Sequence, residues 1–122
     1  MDSFISKFHQ QYTLNERKKA SADMLHKYPD RRPIIVDRGS RATIPLSNKN
    51  KFLVPSDITL SKFIQELRSN IKLEASQGMY IFTKDDTMPN PTSTIGQLYE
   101  QKKDEDGFLY IIYSGENAFG SY

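Results

Sequence analysis

The residues with the clearest chemical potential stand at the end of the chain, where Phe119-Gly120 is followed by Ser121 and Tyr122. A short polar tail with glycine almost at its tip, released by a buried strand, is what a protein attached through its own C-terminus would need. Glycine has no side chain to block a narrow enzyme tunnel, and its φ/ψ freedom lets a tail lie extended. The same residues also fit an ordinary frayed terminus, and the tail alone leaves both readings open. Elsewhere the material for catalysis is thin. His9 and His26 have no serine–carboxylate set that reads as a triad, and His26 falls near a helix C-terminus, where its charge suits the helix dipole. Asp85-Asp86 and Asp104-Glu105-Asp106 offer metal oxygens without EF-hand spacing and are expected to be solvated turns. The six glycines are scattered, so no phosphate cradle is expected. The absence of cysteine excludes disulfides, zinc–thiolate centres and thiol nucleophiles, and is compatible with a reducing compartment. An enzyme is therefore the weakest class, with no catalytic residue, cofactor or metal expected.

Binding has more support. Lys51-Phe52-Leu53-Val54-Pro55 reads as a strand whose closing proline favours a sheet edge. Lys51, Leu53 and Pro55 face one way, Phe52 and Val54 the other. An extended peptide could pair with such an edge and place alternate side chains in flanking pockets. Lys49, Lys51 and Arg31 would draw acidic residues on that peptide, mainly through encounter and orientation. A plain edge blunted by lysines has the same composition. A nucleic-acid reading rests on Arg31, Arg32, Arg38, Arg41, Lys49 and Lys51 near Tyr28 and Phe52. It would also need Phe108, Tyr110 and Tyr113 exposed for stacking, although that strand equally suits a core.

The elements that must position these groups can be placed along one domain of 122 residues, enough for a modest core. Phe4, Ile5 and Phe8 make one apolar helical turn. Thr13 and Glu16 form a capping box for a helix to about Lys27, with Ala20, Met24 and Leu25 inward and Arg17, Lys18 and Lys19 outward. Tyr28-Pro29-Asp30 ends it. Strands are expected at 33–37, 51–55, 79–82 and 108–113. A helix opens over Ser56-Asp57-Ile58-Thr59 and carries Leu60, Phe63, Ile64, Leu67 and Ile71. Thr94 and Gln97 cap a short helix to about Lys102. The last strand is apolar on both alternating sets, which places it inside the sheet. This order fits an α+β, ubiquitin-like β-grasp with two additional N-terminal helices; a ferredoxin-like arrangement competes on pattern alone. Residues 1–51 carry a net charge of +6 and residues 52–122 a net of −4, which suggests an acidic partner or anionic surface for one face. No membrane span or apolar leader is expected, so membrane contact would come from a partner or a modification.

Taken together in order, several segments resemble one family. They are Lys27-Tyr28-Pro29-Asp30-Arg31 with Pro33-Ile34-Ile35-Val36, then Lys51-Phe52-Leu53-Val54-Pro55-Ser56-Asp57, then Asp106-Gly107-Phe108-Leu109-Tyr110 with Tyr113-Ser114-Gly115-Glu116 and Phe119-Gly120. This set is similar to the autophagy-related-protein-eight family of lipid-conjugated ubiquitin-like modifiers, and the similarity runs from about Thr13 to Gly120.

The resemblance implies a helical extension over 1–28, a ubiquitin-like domain over 29–120, and removal of residues 121–122 by a processing cysteine protease cutting between Gly120 and Ser121. Activating and conjugating enzymes would then carry Gly120 as a thioester and join it to phosphatidylethanolamine. The protein would move from the cytoplasm to the autophagosome membrane, where two acyl chains suffice for stable anchoring. It also implies a groove for cargo receptors and adaptors with a Trp/Phe/Tyr-x-x-Leu/Ile/Val motif. The first pocket would use Met24, Pro33, Ile35, Lys51, Leu53 and Phe108. The second would use Phe52, Val54, Pro55, Ile58, Phe63 and Leu67, with Arg31, Lys49 and Lys51 meeting acidic flanks. No nucleic-acid partner is expected. Three residues depart from the family pattern. Glu66 replaces an aliphatic, Asn70 an arginine and Ala20 a carboxylate, so receptor preference is expected to differ.

Overall fold

The fold follows from a few local rules. In the computed structural model, which describes residues 6–39, 44–74 and 76–115, Thr13 caps its helix through both halves of the box. Its Oγ1 accepts from the Glu16 amide at 3.1 Å, and Glu16 Oε1 accepts from the Thr13 amide at 2.8 Å. The elements run α1 (Lys7–Gln11), α2 (Leu14–Lys27), β1 (Arg31–Arg38), β2 (Lys51–Pro55), α3 (Leu60–Ile71), β3 (Tyr80–Thr83), α4 (Ile95–Lys102) and β4 (Leu109–Ser114). The Thr94–Gln97 box opens α4 in the same way. Thr59 caps α3 through the Lys62 amide, so Ser56-Asp57-Ile58 precede the helix instead of belonging to it. β1 extends past its apolar run because Arg31 and Arg32 continue the backbone pairing with Pro55 and Val54.

The sheet order is β2-β1-β4-β3, with β1 and β4 parallel and both outer pairs antiparallel. This is the β-grasp expected, with β2 at an edge and β4 inside. Helix α3 lays Leu60, Phe63, Leu67 and Ile71 on one face, against Ile34, Val36, Leu109, Ile111 and Tyr113. On the other face Phe8, Ala20 and Met24 of the N-terminal helices cover Ile35, Phe108 and Tyr110. Both faces are covered, so every residue of β4 is buried. Among the described residues, no helix is long and apolar enough to cross a membrane.

Two expectations fail at one place. The turn before β4 is not a solvated acidic loop throughout, because Asp106 is only 1% exposed. Arg17 does not join Lys18 and Lys19 on the outer face of α2 but is buried against Asp106. Its Nε donates to Asp106 Oδ2 at 2.9 Å and its Nη1 donates to the Tyr12 carbonyl at 2.6 Å. The Tyr110 hydroxyl donates to the same Oδ2 at 2.5 Å, and the Phe108 amide donates to Oδ1 at 2.9 Å. Burial, then the Asp106 carboxylate, push the Tyr110 phenol far above its ordinary range. The carboxylate is thus dry because it is fully bonded, which is the condition for burying one. Gly107 completes the turn at φ +87°, and a Cβ there would collide with Ser21 Oγ. The other acidic turn behaves as expected: Asp85 and Asp86 are exposed, and Lys102 and Thr83 hold the Asp85 carboxyl well below the usual range.

Candidate peptide-binding edge

The register of β1 and β2 fixes which backbone groups face outward. The Ser56 amide donates to the Asp30 carbonyl at 3.0 Å, and the Val36 amide donates to the Asn50 carbonyl at 2.8 Å. In an antiparallel pair, hydrogen-bonded and non-bonded partners alternate. Arg32–Val54 and Ile34–Phe52 therefore bond across the ladder. Ile35–Lys51 and Pro33–Leu53 do not, and Lys51 and Leu53 turn their N–H and C=O toward the open edge. Pro55 shares that parity, so its missing donor belongs to the open edge and not to the ladder. Arg31 Nη1 donates to the Leu53 carbonyl at 3.2 Å, which places its charge directly on this edge.

Beside the edge lies an opening of about 490 Å³, lined by Ala20, Asp23, Met24, Lys27, Tyr28, Lys49, Lys51, Phe52 and Leu53. Its walls are one face of α2 and the outward side of β2. Of the six residues expected in a first pocket, Met24, Lys51 and Leu53 line it. Pro33, Ile35 and Phe108 are buried, the last two in the cluster with Met24. Asp23, Lys27 and Tyr28 were not among the expected residues. Their spacing from Ala20 and Met24 along α2 is the helical signal that would have found them. Lys49 Nζ lies 4.8 Å over the Phe52 ring, and Lys51 Nζ 5.3 Å over the Phe8 ring. Both lysines border the opening, each with its ammonium group over an aromatic face. A larger hollow of about 570 Å³ beside α1 has mostly polar walls, among them Lys7, Gln10, Asp37, Arg38, Asn48 and Asn50, which suit an aromatic anchor poorly.

The residues expected in a second pocket are packed differently. Val54, Phe63 and Leu67 are buried in the main core, with Ile58 half-buried against them. Phe52 meets Phe63 edge-to-face at 5.3 Å and also borders the first opening, while Pro55 is half-buried. A side chain entering here would have to part β2 from α3. Glu66 is exposed on the flank of α3, and Asn70 Nδ2 donates back to the Glu66 carbonyl at 3.0 Å. Ala20 lines the first opening. Phe108, Tyr110 and Tyr113 are 0%, 3% and 1% exposed, so they form no stacking platform for bases. Gly120 and Ser121 lie outside the described residues, as do Phe4 and Ile5.

The fold and sequence are shared with known proteins. The family described as "Autophagy protein Atg8 ubiquitin like" matches residues 16–120. Autophagy-related protein 8c of Arabidopsis thaliana is 43% identical over 94% of this chain and 96% of its own length. Autophagy-related protein 8 of Dictyostelium discoideum is 44% identical over 96% of each. Among solved structures, Trypanosoma brucei ATG8 superposes with a TM-score of 0.87 at 38% identity, covering 96% of this chain and all of that one. Plasmodium falciparum Atg8, solved with a Plasmodium falciparum Atg3 peptide, gives 0.83 at 29% identity, covering 92% and 98%. With the β-grasp, the two added helices and near-complete coverage in agreement, the chain belongs to the Atg8 family of ubiquitin-like autophagy modifiers.

Proposed function

We propose that this modifier works through two parts, its C-terminal glycine and its β2 edge. A cysteine protease hydrolyses the bond before Ser121, and an activating enzyme uses a nucleoside triphosphate to join the Gly120 acyl group to its own thiol. A conjugating enzyme takes that thioester over and passes the acyl group to the amine of phosphatidylethanolamine, its thiol leaving. The chain is a substrate in each step and supplies no catalytic residue. It passes from the cytoplasm to the autophagosome membrane, with 1–28 as a helical extension and 29–120 as the ubiquitin-like domain.

The observation that carries the binding half is the pair of outward-turned residues Lys51 and Leu53 beside an apolar opening. A receptor's aromatic-x-x-aliphatic segment would add as a strand there. Its aromatic side chain would sit over Met24 and Leu53, and its acidic flank would meet Arg31, Lys49 and Lys51. The aliphatic residue would enter between β2 and α3, near Phe52, Val54, Pro55, Ile58, Phe63 and Leu67. The Plasmodium relative's complex with a peptide is consistent with a family that engages short segments. Glu66 and Asn70 on α3 would bias this chain's choice among receptors.

Each half has its own measurement. Leu53→Asp puts a charge on the wall of the opening and is expected to weaken such a peptide by about tenfold or more. Leu53 is only half-buried, so the melting temperature should move little. Higher salt should weaken wild-type binding mainly through slower association. Unchanged affinity in Leu53→Asp would remove this edge as the site. For the other half, intact mass in an extract with the conjugation machinery should show loss of Ser121-Tyr122 and gain of one phosphatidylethanolamine. An unchanged mass in a competent extract would overturn it.

A further inference from the structure

Helix α1 has five residues, far too few to persist alone, so it exists by docking. Arg17 Nη1 holds its C-terminal end through the Tyr12 carbonyl at 2.6 Å and the His9 carbonyl at 3.4 Å, and three side chains of its own add to this. Ser6 Oγ donates to Asp37 Oδ2 of β1 at 2.7 Å. The Phe8 ring stands edge-on to Phe108 at 5.0 Å, with Lys51 Nζ 5.3 Å from its centre. His9 closes over the buried acidic turn, its Nε2 lying 3.5 Å from Asp104 Oδ2 and 3.6 Å from Asp106 Oδ2. Two cations already serve those carboxylates. Arg17 of α2 takes Asp106 at 2.9 Å, and Lys84, after β3, takes Asp104 at 2.8 Å while lying 3.5 Å from His9 Nε2. Tyr110 of β4 packs against the His9 ring at 4.8 Å. Asp37 of β1 also feels the His9 charge, with Lys7 acting on the same carboxylate. With His9 neutral, Arg17 and Lys84 balance Asp104 and Asp106. A proton on His9, whose side chain is 21% exposed, adds a third positive charge to that balanced group.

We propose that α1 is an acid-released clasp on the peptide opening: neutral His9 keeps Phe8 against Phe108 and beneath Lys51, and protonated His9 releases both. Its effect on the opening rests on the peptide-binding reading; the release of α1 does not. The direction follows from linkage. Burial first, then Lys84 and Arg17, hold the His9 pKa below its ordinary 6.5, and Asp104 and Asp106 only partly oppose them. A base whose docked pKa lies below its undocked value favours docking fully above the undocked value. That contribution is lost as pH falls below it. Asp37 acts oppositely: burial raises its pKa, so acid strengthens docking through Asp37 once the pH reaches that raised value. His9→Gln keeps Asp37 and removes only the histidine titration, so the difference between the two proteins belongs to His9.

The test is amide hydrogen exchange of residues 8–12 at about pH 7.5 and about pH 5.5, corrected for intrinsic rates, across the range where histidine titrates. Wild type should lose protection on acidification by about threefold or more relative to His9→Gln. His9→Lys, charged throughout, should exchange fast at both values. Equal pH responses in wild type and His9→Gln would overturn the clasp, as would full protection in His9→Lys. Titration with an acidic aromatic-x-x-aliphatic peptide should show wild-type affinity falling with acid more than that of His9→Gln. Release of α1 without that difference would overturn the coupling to the opening. A peptide that bound at neither pH would overturn the binding reading and leave the exchange result standing.

Discussion

Replacing Asp106 with alanine is expected to destabilise the fold by about 3–5 kcal/mol, the usual range when one partner of a buried ion pair is removed. The magnitude comes from what is left behind. Arg17, whose side chain is 8% exposed, keeps its charge with no carboxylate to meet it. The Tyr110 hydroxyl and the Phe108 amide lose their acceptors in the same step. Each orphaned buried donor carries a desolvation penalty of about 1–3 kcal/mol, though such terms overlap and do not simply add. In a thermal melt the loss should read as a fall of about 10–20 °C. A second variant separates a broken pair from a merely altered turn. Arg17→Met with Asp106→Leu removes both charges and should recover a substantial part of the loss, because no ion then remains buried alone. A fall under about 1 kcal/mol in Asp106→Ala would show that water reaches Arg17 and that the node contributes little.

That node also marks where the sequence stops being readable. The features that could be placed in advance are local ones. Thr13 with Glu16 and Thr94 with Gln97 satisfy amides three residues away, so four letters suffice to locate two helix starts. Phe108 to Tyr113 needs covering on both faces, which puts β4 inside the sheet whatever covers it. Pro55 is confined to an edge by its own missing donor. Asp106 is different. Taken locally, Asp104-Glu105-Asp106-Gly107 has the composition of a solvated turn, and the countercharge that lets Asp106 be buried comes from Arg17, 89 positions away. The His9 cluster has the same character, drawing on α1, α2, the segment after β3 and the turn before β4. The peptide opening falls between these cases. Strand alternation identified the outward side of β2, and the helical spacing of Ala20, Asp23, Met24 and Lys27 held the rest of the wall. Phe52 was assigned to one side by alternation, yet its ring reaches the rim where Lys49 covers it. Alternation fixes where a Cβ points and not how far a ring extends.

Gly120→Ala is expected to reduce conjugate formation by about 100-fold, comparable to the loss when a reacting carbon is displaced by about an ångström. The sheet fixes one end of the reacting segment, since β4 is buried through Ser114 and paired on both sides by β1 and β3. From Gly115 to Gly120 the chain can span at most about 17 Å, at about 3.4 Å per residue. In the proposed transfer the carboxyl carbon would meet a thiolate within that reach and then an amine, each through a channel that would have to be narrow enough to read backbone. A methyl on that last Cα occupies the space the channel would close upon, and it narrows the φ/ψ range open to glycine. Residue 120 lies beyond β4, so the melting temperature and peptide affinity of Gly120→Ala should match wild type; the loss would then belong to the transfer. A chain ending at Gly120 should be conjugated without the protease, and the same chain carrying Gly120→Ala should not. That pair assigns the defect to acyl transfer and not to cleavage. Deleting Asn117-Ala118 keeps the glycine but shortens the reach by about 7 Å, and it should impair transfer as well. Conjugation of Gly120→Ala at the wild-type rate, by intact mass, would mean that the reacting residue lies elsewhere.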